Sequence, residues 1–276
     1  MVGPDKMSEF ARRVQGLTIN DAGFRNEMEK NSAPEKTYVI VFSARSGSTW
    51  LTSILSKTEA LGYPEEYINP DFIRDVAQFL NTTDPSDFLE ILKRRRKTKN
   101  EIFGIECRAV DILCIGEDLF FKSFDKKTIF FNLWRKNIVA QAISLYRAVT
   151  TGRFHSNDGK QEQTLASYNA QAIKAWLEHI AEEENSNISM LEKQNKPFTN
   201  LCYEVIVKDR SGTIRLFADK LGVKMESFEI DNSENEDVQK IGDSWNVEAE
   251  RRFRSEHPDF LARIERNRLI RRYETF

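Results

Sequence analysis

The chain has 276 residues, of which 40% are hydrophobic and 30% charged, a composition typical of a globular protein rather than a disordered one. Its 41 basic and 43 acidic side chains give a formal net charge of -2, which excludes the strong global field that attracts nucleic acids or anionic membranes. No apolar run reaches the roughly 18 residues of a membrane helix, and the first residues lack the apolar core of a signal peptide. We therefore expect a cytoplasmic protein with no membrane insertion and no nucleic-acid partner.

In chain order, residues 1–35 are predicted to be a polar lead-in with one short helix near Met7–Gly16, followed by a single domain over residues 36–276. Apolar, β-branched runs predict buried strands at Val39–Phe42, Glu101–Val110, Lys127–Trp134 and Pro197–Val207. Helical patterns cover Asn137–Thr150, a stretch from about Gln163 to Lys193, and the arginine-rich tail Val247–Phe276. Strands that alternate with helices predict a three-layer α/β/α fold around a central parallel sheet.

The cysteines, the spacing of the histidines and one acidic run do not indicate a disulfide or metal site. The three cysteines form no Cys-x-x-Cys pair and the three histidines lie far apart, so we expect neither a disulfide scaffold nor a metal site. The acidic run Ala181–Asn185 is predicted to be a solvated helix face.

The segment between the first strand and the next helix is predicted to bind an anion. A helix N-terminus presents unpaired backbone N–H groups and a partial positive charge. Gly47 lets the backbone approach an anion closely, Ser46, Ser48 and Thr49 add hydroxyl donors, and Arg45 adds a full charge. A helix capped by one of these serines is the structural alternative, but a cap alone does not require an arginine in the turn.

This loop matches neither of the common nucleotide-binding motifs. Phe42 stands where a Walker A loop has its first glycine and Ser48 where it has its lysine, and there is no Gly-x-Gly-x-x-Gly pattern. The pattern Ser-x-Arg-Ser-Gly-Ser-Thr-Trp, which ends at Trp50, resembles the 5′-phosphosulfate loop of sulfotransferases. That resemblance implies 3′-phosphoadenosine-5′-phosphosulfate (PAPS) as the sulfuryl donor and 3′-phosphoadenosine-5′-phosphate (PAP) as the product.

A second motif of the same enzymes binds the 3′-phosphate of PAPS. It consists of an arginine at a strand end and a serine on the next helix, eight or nine residues later. Here Arg135 follows the strand Lys127–Trp134, and Ser144 comes nine residues after it. Arg135 alone would fit a surface charge equally well, but the two motifs together, in this order, are much more specific.

The stretches "GYPEEY", "QAISLYRAV" and "YNAQAIKAWLEHI" resemble the trehalose and lipopolysaccharide sulfotransferase family, and the resemblance runs from about Tyr38 to Arg254. It implies a metal-independent enzyme with a small-molecule acceptor and a homodimer as the common assembly. It also implies Glu66 as the general base and Arg45 as the residue that stabilises the leaving phosphate. Further nucleotide contacts implied by the family pattern are Tyr203 near the adenine and three residues of a late loop, Lys240, Ser244 and Trp245.

The acceptor side is where the sequence departs from the family. Residues predicted to face the acceptor are Tyr63, Glu106, Arg147 and His155. Glu106 stands where the family usually has lysine, and a carboxylate there favours a cationic acceptor such as an alkaloid-like secondary metabolite. The same carboxylate could instead pair with Arg108 or Arg147 as a structural ion pair. The alternatives are O-sulfation of a carbohydrate and, more remotely, a nucleotide kinase or a phospho-ligand binding protein.

Overall fold

The computed structural model describes residues 7–19, 30–152, 167–224 and 244–276. In this part of the chain a parallel sheet with strand order β2-β1-β3-β4 forms the centre of the fold. Its strands are β1 Lys36–Phe42, β2 Ile102–Cys107, β3 Ile129–Trp134 and β4 Phe198–Cys202. The predicted strands are confirmed, although two of them end earlier than the apolar runs suggested.

Helices connect the strands and cover both faces of the sheet. They are α1 Glu9–Val14, α2 Ser48–Ser56, α3 Ile73–Leu80, α4 Pro85–Arg95, α5 Ala109–Ile115, α6 Glu117–Ser123, α7 Ile138–Thr151, α8 Ala170–Lys193, α9 Tyr203–Ile206, α10 Arg210–Leu221, α11 Ser244–Glu256 and α12 Pro258–Asn267, followed by a 3₁₀ turn at Leu269–Arg272. None of these described helices is both long enough and apolar enough to cross a lipid bilayer.

Alternation along the strands separates the two apolar layers. In β1, Val39 and Val41 belong to the cluster formed with α1 and α3 to α6, whereas Ile40 and Phe42 belong to the cluster formed with α2 and α10. Successive strand side chains point to opposite faces, so one strand supplies both layers. This arrangement confirms the predicted three-layer α/β/α fold.

Several helices and strands begin or end at residues other than those predicted, for identifiable reasons. The arginine-rich tail forms two helices rather than one because Pro258 starts the second, and proline is tolerated only in the first turn of a helix. The predicted fourth strand is split after Cys202, where the chain turns into the short helix α9. Near the start of the chain, α1 buries Phe10 and Val14 in the same apolar cluster as the β1 residue Val39.

Candidate functional site

The loop between β1 and α2 lies beside the loop between β3 and α7, because β1 and β3 are neighbours in the parallel sheet. Loops that follow the carboxyl ends of neighbouring parallel strands meet at one edge, where ligands of open α/β sheets bind. Arg45 and Gly47 have positive φ values of 62° and 99°, and the turn closes with a 3.1 Å hydrogen bond from the Ser46 N–H to the Ser43 carbonyl. Helix α2 then begins at Ser48 and directs its free N–H groups toward this edge.

Gly47 packs against the ring of Tyr203, the first residue of α9 after β4. A Cβ atom at Gly47 would lie 2.2 Å from Cδ2 of the Tyr203 ring, closer than any real contact allows. Tyr203, predicted to lie near the adenine, therefore packs directly against the loop. No other residue type fits here, since both the space and the left-handed backbone require glycine.

The two predicted anion motifs contact each other. The Nε of Arg45 donates to the Oγ of Ser144 at 3.1 Å, so a residue of the first motif binds a residue of the second. The Nη1 of Arg135 donates to the carbonyl of Arg45 at 3.4 Å. Residues that are about 90 positions apart in sequence thus form one cationic cluster at the ends of β1 and β3.

Arg135 is held between an aromatic ring and a carboxylate, and one of its guanidinium donors is buried without a hydrogen bond to the described residues. Its guanidinium carbon lies 4.8 Å from the centroid of the Tyr203 ring, a cation–π distance. Its Nε lies 3.6 Å from Oε1 of Glu204, too far for a hydrogen bond, and has no hydrogen-bond partner among the described residues. The buried Oγ of Ser46 has none there either. Both are donors that an anionic ligand would satisfy.

Glu204 and Gln141, which no sequence pattern singled out, hold these two loops in place. Glu204 accepts hydrogen bonds from the backbone N–H groups of Lys136 and Asn137 at 2.8 and 3.0 Å. Burial raises the pKa of Glu204, but these backbone donors outweigh it, so the pKa lies below its ordinary value. Gln141 donates to the Oγ of Ser43 at 2.9 Å. No motif marks these residues, because each acts on a backbone or hydroxyl group that only the fold brings near.

The prediction of a solvated acidic face at Ala181–Asn185 is wrong for two of its three carboxylates. Glu183 accepts the backbone N–H of Ala44 at 2.7 Å, and burial raises its pKa. Glu184 is 3% exposed and forms an ion pair with the fully buried Arg268. Helix α8 is covered on this side by the sheet and by the C-terminal segment, which leaves no room for a solvated face.

The proposed base lies on the β2 side of the loop. Asn69 donates its Nδ2 to Oε2 of Glu66 at 2.6 Å, which fixes the orientation of that carboxylate. The backbone N–H of Glu106 donates to the carbonyl of Glu65 at 3.2 Å, so the segment that carries Glu66 runs along the end of β2. A cavity of about 480 Å³ opens at this end, with Asn69 and Arg108 among its lining residues.

Glu106 lies beneath the loop and is absent from the lining of that cavity. It is 5% exposed, and its carboxyl group is hydrogen-bonded with the side chain of Ser48 at the start of α2. Burial, followed by the nearby carboxylate of Glu66, raises the pKa of Glu106 well above its ordinary value. Arg108, one of its suggested partners, pairs with Asp111 at 2.8 Å and lies 3.7 Å from Glu183.

The other predicted residues are spread around the loop. The guanidinium of Arg147 donates to Asn246 at 2.6 Å and lies 5.8 Å from the Trp245 ring, which brings the start of α11 beside α7. Ser244 is exposed at that helix start, and the half-buried Tyr63 lies beside the Arg96 guanidinium at 5.9 Å. His155 and Lys240 lie outside the described residues. Thr49 is exposed and Trp50 is half-buried in the first turn of α2.

Comparison with known proteins shows which family the sequence matches. Residues 37–256 match the model of a family described as Stf0 sulphotransferase. The chain is also similar to the trehalose 2-sulfotransferase of Mycobacterium tuberculosis (strain ATCC 35801 / TMC 107 / Erdman). The two sequences are 21% identical over 225 residues, which cover 68% of this chain and 84% of the relative.

Proposed function

The chain belongs to the Stf0 sulphotransferase family, and from this we propose that it transfers a sulfuryl group from PAPS to a hydroxyl group of a carbohydrate. The observation that carries the proposal is the 3.1 Å hydrogen bond from Arg45 to Ser144, which joins two anion-binding segments into one site. A donor with phosphate groups at both its 5′ and 3′ positions requires such a double site. A single-phosphate ligand does not.

The described residues fit this donor. The N–H groups at the start of α2 and the hydroxyls of Ser46, Ser48 and Thr49 would hold the 5′-phosphosulfate. Arg135 and Ser144 would hold the 3′-phosphate, for which the unsatisfied Nε of Arg135 supplies a donor. Charged hydrogen bonds of this kind each contribute about 1.5–3 kcal/mol. A Walker-type kinase would instead require a lysine where Ser48 stands.

The sheet order supports placing the acceptor on the β2 side. Since β1 carries the loop and β3 carries Arg135, the nucleotide extends from β1 toward β3 and β4. The remaining neighbour of β1 is β2, and both the cavity and the Asn69–Glu66 pair lie at its end. An acceptor bound in that cavity would lie beside Asn69, the hydrogen-bond partner of Glu66, although Glu66 itself does not line the cavity.

A carbohydrate acceptor is better supported than the cationic metabolite that Glu106 suggested. The relative is named for sulfation of trehalose, a neutral disaccharide. Glu106 is buried against Ser48 and does not line the cavity, so its replacement of lysine is weak evidence for a positive group on the acceptor. The cationic acceptor remains the second candidate because Asp71 and Glu182 do line the cavity.

The chemistry follows from the positions of the charged groups. Glu66 removes the proton of the acceptor hydroxyl, and Asn69 keeps the Glu66 carboxylate oriented for this step. Arg45 stabilises the negative charge that develops on the leaving phosphate, and fixed loop N–H groups contribute without reorganising. Tyr203 and the Glu204-bound segment at Lys136 keep the site rigid.

Two measurements test the proposal. Thermal melts with added PAP should show strong stabilisation, and AMP, which lacks the 3′-phosphate, should give little, because a ligand stabilises by mass action. Labelled PAPS should then be offered with trehalose, other neutral disaccharides and amine-bearing metabolites. Equal stabilisation by PAP and AMP would contradict the double-phosphate site. Label transfer only to amine-bearing compounds would overturn the carbohydrate assignment and leave the donor assignment intact.

A further inference from the structure

If the proposed function holds, the Ser48 hydroxyl has two possible hydrogen-bond acceptors, the bound sulfuryl donor and the carboxyl group of Glu106. As a residue of the loop and the first residue of α2, Ser48 is placed to donate to the anionic sulfuryl donor. On its other side it is hydrogen-bonded with the carboxyl group of Glu106. A serine hydroxyl has only one proton to donate, so it cannot donate to both. The protonation state of Glu106 decides whether Ser48 donates its hydrogen bond to the sulfuryl donor or to Glu106.

The surroundings of Glu106 favour the neutral acid. It is 5% exposed at the end of β2, on the side of the strand that faces α2, and its Oε2 has no hydrogen-bond partner among the described residues. An ionised carboxylate would be strongly destabilised by that burial and by an oxygen left without a donor.

The elements packed against Glu106 carry carboxyl and phenol groups that interact with it. Glu65 and Glu66 come from the segment before α3, and Asp111 comes from α5. The phenol groups of Tyr38, on β1, and Tyr67, in the segment before α3, are also near enough to interact with its charge. The hydrogen bond with Ser48 favours ionisation, but burial outweighs it, so the pKa of Glu106 is raised. An anionic donor bound on the loop would add further negative charge.

We propose that Glu106 works as a neutral carboxylic acid that donates its proton to the Oγ of Ser48 and so turns the Ser48 hydrogen toward the bound sulfuryl donor. Glu106 is then a positioning residue for the anion site. The proposal rests on the proposed function, because it requires an anion above Ser48.

A neutral Glu106 makes the affinity for PAP depend on pH in one direction. Below the pKa of Glu106 the acid donates to Ser48, and Ser48 donates to the anion. As pH rises through that pKa, Glu106 loses its proton, takes the Ser48 hydrogen bond for itself and repels the ligand. Affinity for PAP should therefore fall with increasing pH. An amide at this position always donates to Ser48 and carries no charge, so Glu106→Gln should remove this dependence.

The test measures PAP binding by calorimetry between about pH 7 and pH 9.5, where phosphate monoesters with a second pKa of about 6 stay ionised. Glu106→Leu and Ser48→Ala should each weaken binding about tenfold or more at pH 7, the scale of a lost charged hydrogen bond. Glu106→Gln should rescue it to within about threefold of the wild type. The ratio of wild-type to Glu106→Gln dissociation constants should rise with pH, or stay near one if Glu106 never ionises in this range.

Three results would overturn the inference. The first is a Glu106→Gln protein that melts normally but binds PAP tenfold more weakly at pH 7, which would show that the charge is needed. The second is unaltered affinity in Ser48→Ala. The third is a dissociation-constant ratio that falls with pH. Should Glu106→Leu not fold, the rescue is judged from the Glu106→Gln and Ser48→Ala proteins. A wild-type protein that does not bind PAP at all would instead contradict the proposed function.

Discussion

Replacing Arg268 by methionine should both destabilise the fold and weaken binding of the 3′-phosphate. Arg268 is 0% exposed and Glu184 is 3% exposed, and two hydrogen bonds of 2.8 and 2.9 Å join them. Arg268→Met leaves the Glu184 carboxylate buried without its partner. Breaking a buried ion pair from one side costs about 3–5 kcal/mol, so the free energy of unfolding should fall by that amount.

The same guanidinium also holds the anion site. It donates to the backbone carbonyl of Arg135 at 2.6 Å and to that of Lys136 at 3.4 Å, and so fixes the segment that aims the Arg135 side chain. The double variant Arg268→Met/Glu184→Leu separates the two effects. Removing both charges should restore most of the stability, because apolar replacement of a buried pair is often close to neutral. Preference for PAP over AMP should remain about tenfold lower, because the Arg135 carbonyl still lacks its donor.

Urea unfolding measures the first effect, and calorimetric titration with PAP and AMP measures the second. Arg271→Met is the matched control, since Arg271 is 43% exposed and its replacement should change the free energy of unfolding by well under about 1 kcal/mol. A loss of less than about 1 kcal/mol in Arg268→Met would refute the energetic argument. A double variant that keeps the full preference for PAP would show that Arg268 does not position Arg135.

Three further predictions concern the site itself. Arg135→Ala should weaken PAP binding about tenfold or more and leave AMP binding nearly unchanged, whereas Lys136→Ala, an exposed neighbour, should affect neither; equal losses for both nucleotides would remove the assignment. Glu66→Gln should keep PAP affinity and lower turnover by roughly 10²-fold, measured with labelled PAPS, and near-normal turnover would mean that another group accepts the proton. Gly47→Ala should abolish PAP binding because its Cβ meets the Tyr203 ring at 2.2 Å, and normal binding would show that the loop tolerates a shift of that ring.

The sequence predicted the parts of the site that follow local rules. A buried run that breaks into Arg45 and Gly47 before a helix predicts an anion loop wherever the fold places it. The strand alternation at β2 was also predictable: Ile105 and Cys107 face the α1 side, as a regular strand requires, and Glu106 faces the opposite side. Neither the loop pattern nor strand alternation indicates which distant residues lie close together in the folded chain. The direct contact between Arg45 and Ser144 therefore emerged only from the fold.

The acidic residues were the least predictable part. A run of three glutamates on a helix has the composition of a solvated face, and burial of Glu183 and Glu184 depends on what packs against α8. Arg268 lies 84 residues from its partner Glu184, in a tail whose arginine content predicts only a charged helix. For Glu106, strand alternation predicted the face of the strand but not the burial, and burial decides whether the group is charged or a neutral acid.

Three glutamates near strand ends hold the loops of the proposed anion site. Glu183 takes the N–H of Ala44 after β1, Glu204 takes two N–H groups after β3, and Glu106 is bonded with Ser48 above β2. Each of these bonds holds a loop in its binding geometry before the ligand arrives, which reduces the reorganisation that binding requires. The ionised Glu204 also adds negative charge near the anion, whereas a neutral Glu106 adds none. Full positive charge at the site then comes from Arg45 and Arg135, which act together with the N–H groups and hydroxyls of the loop.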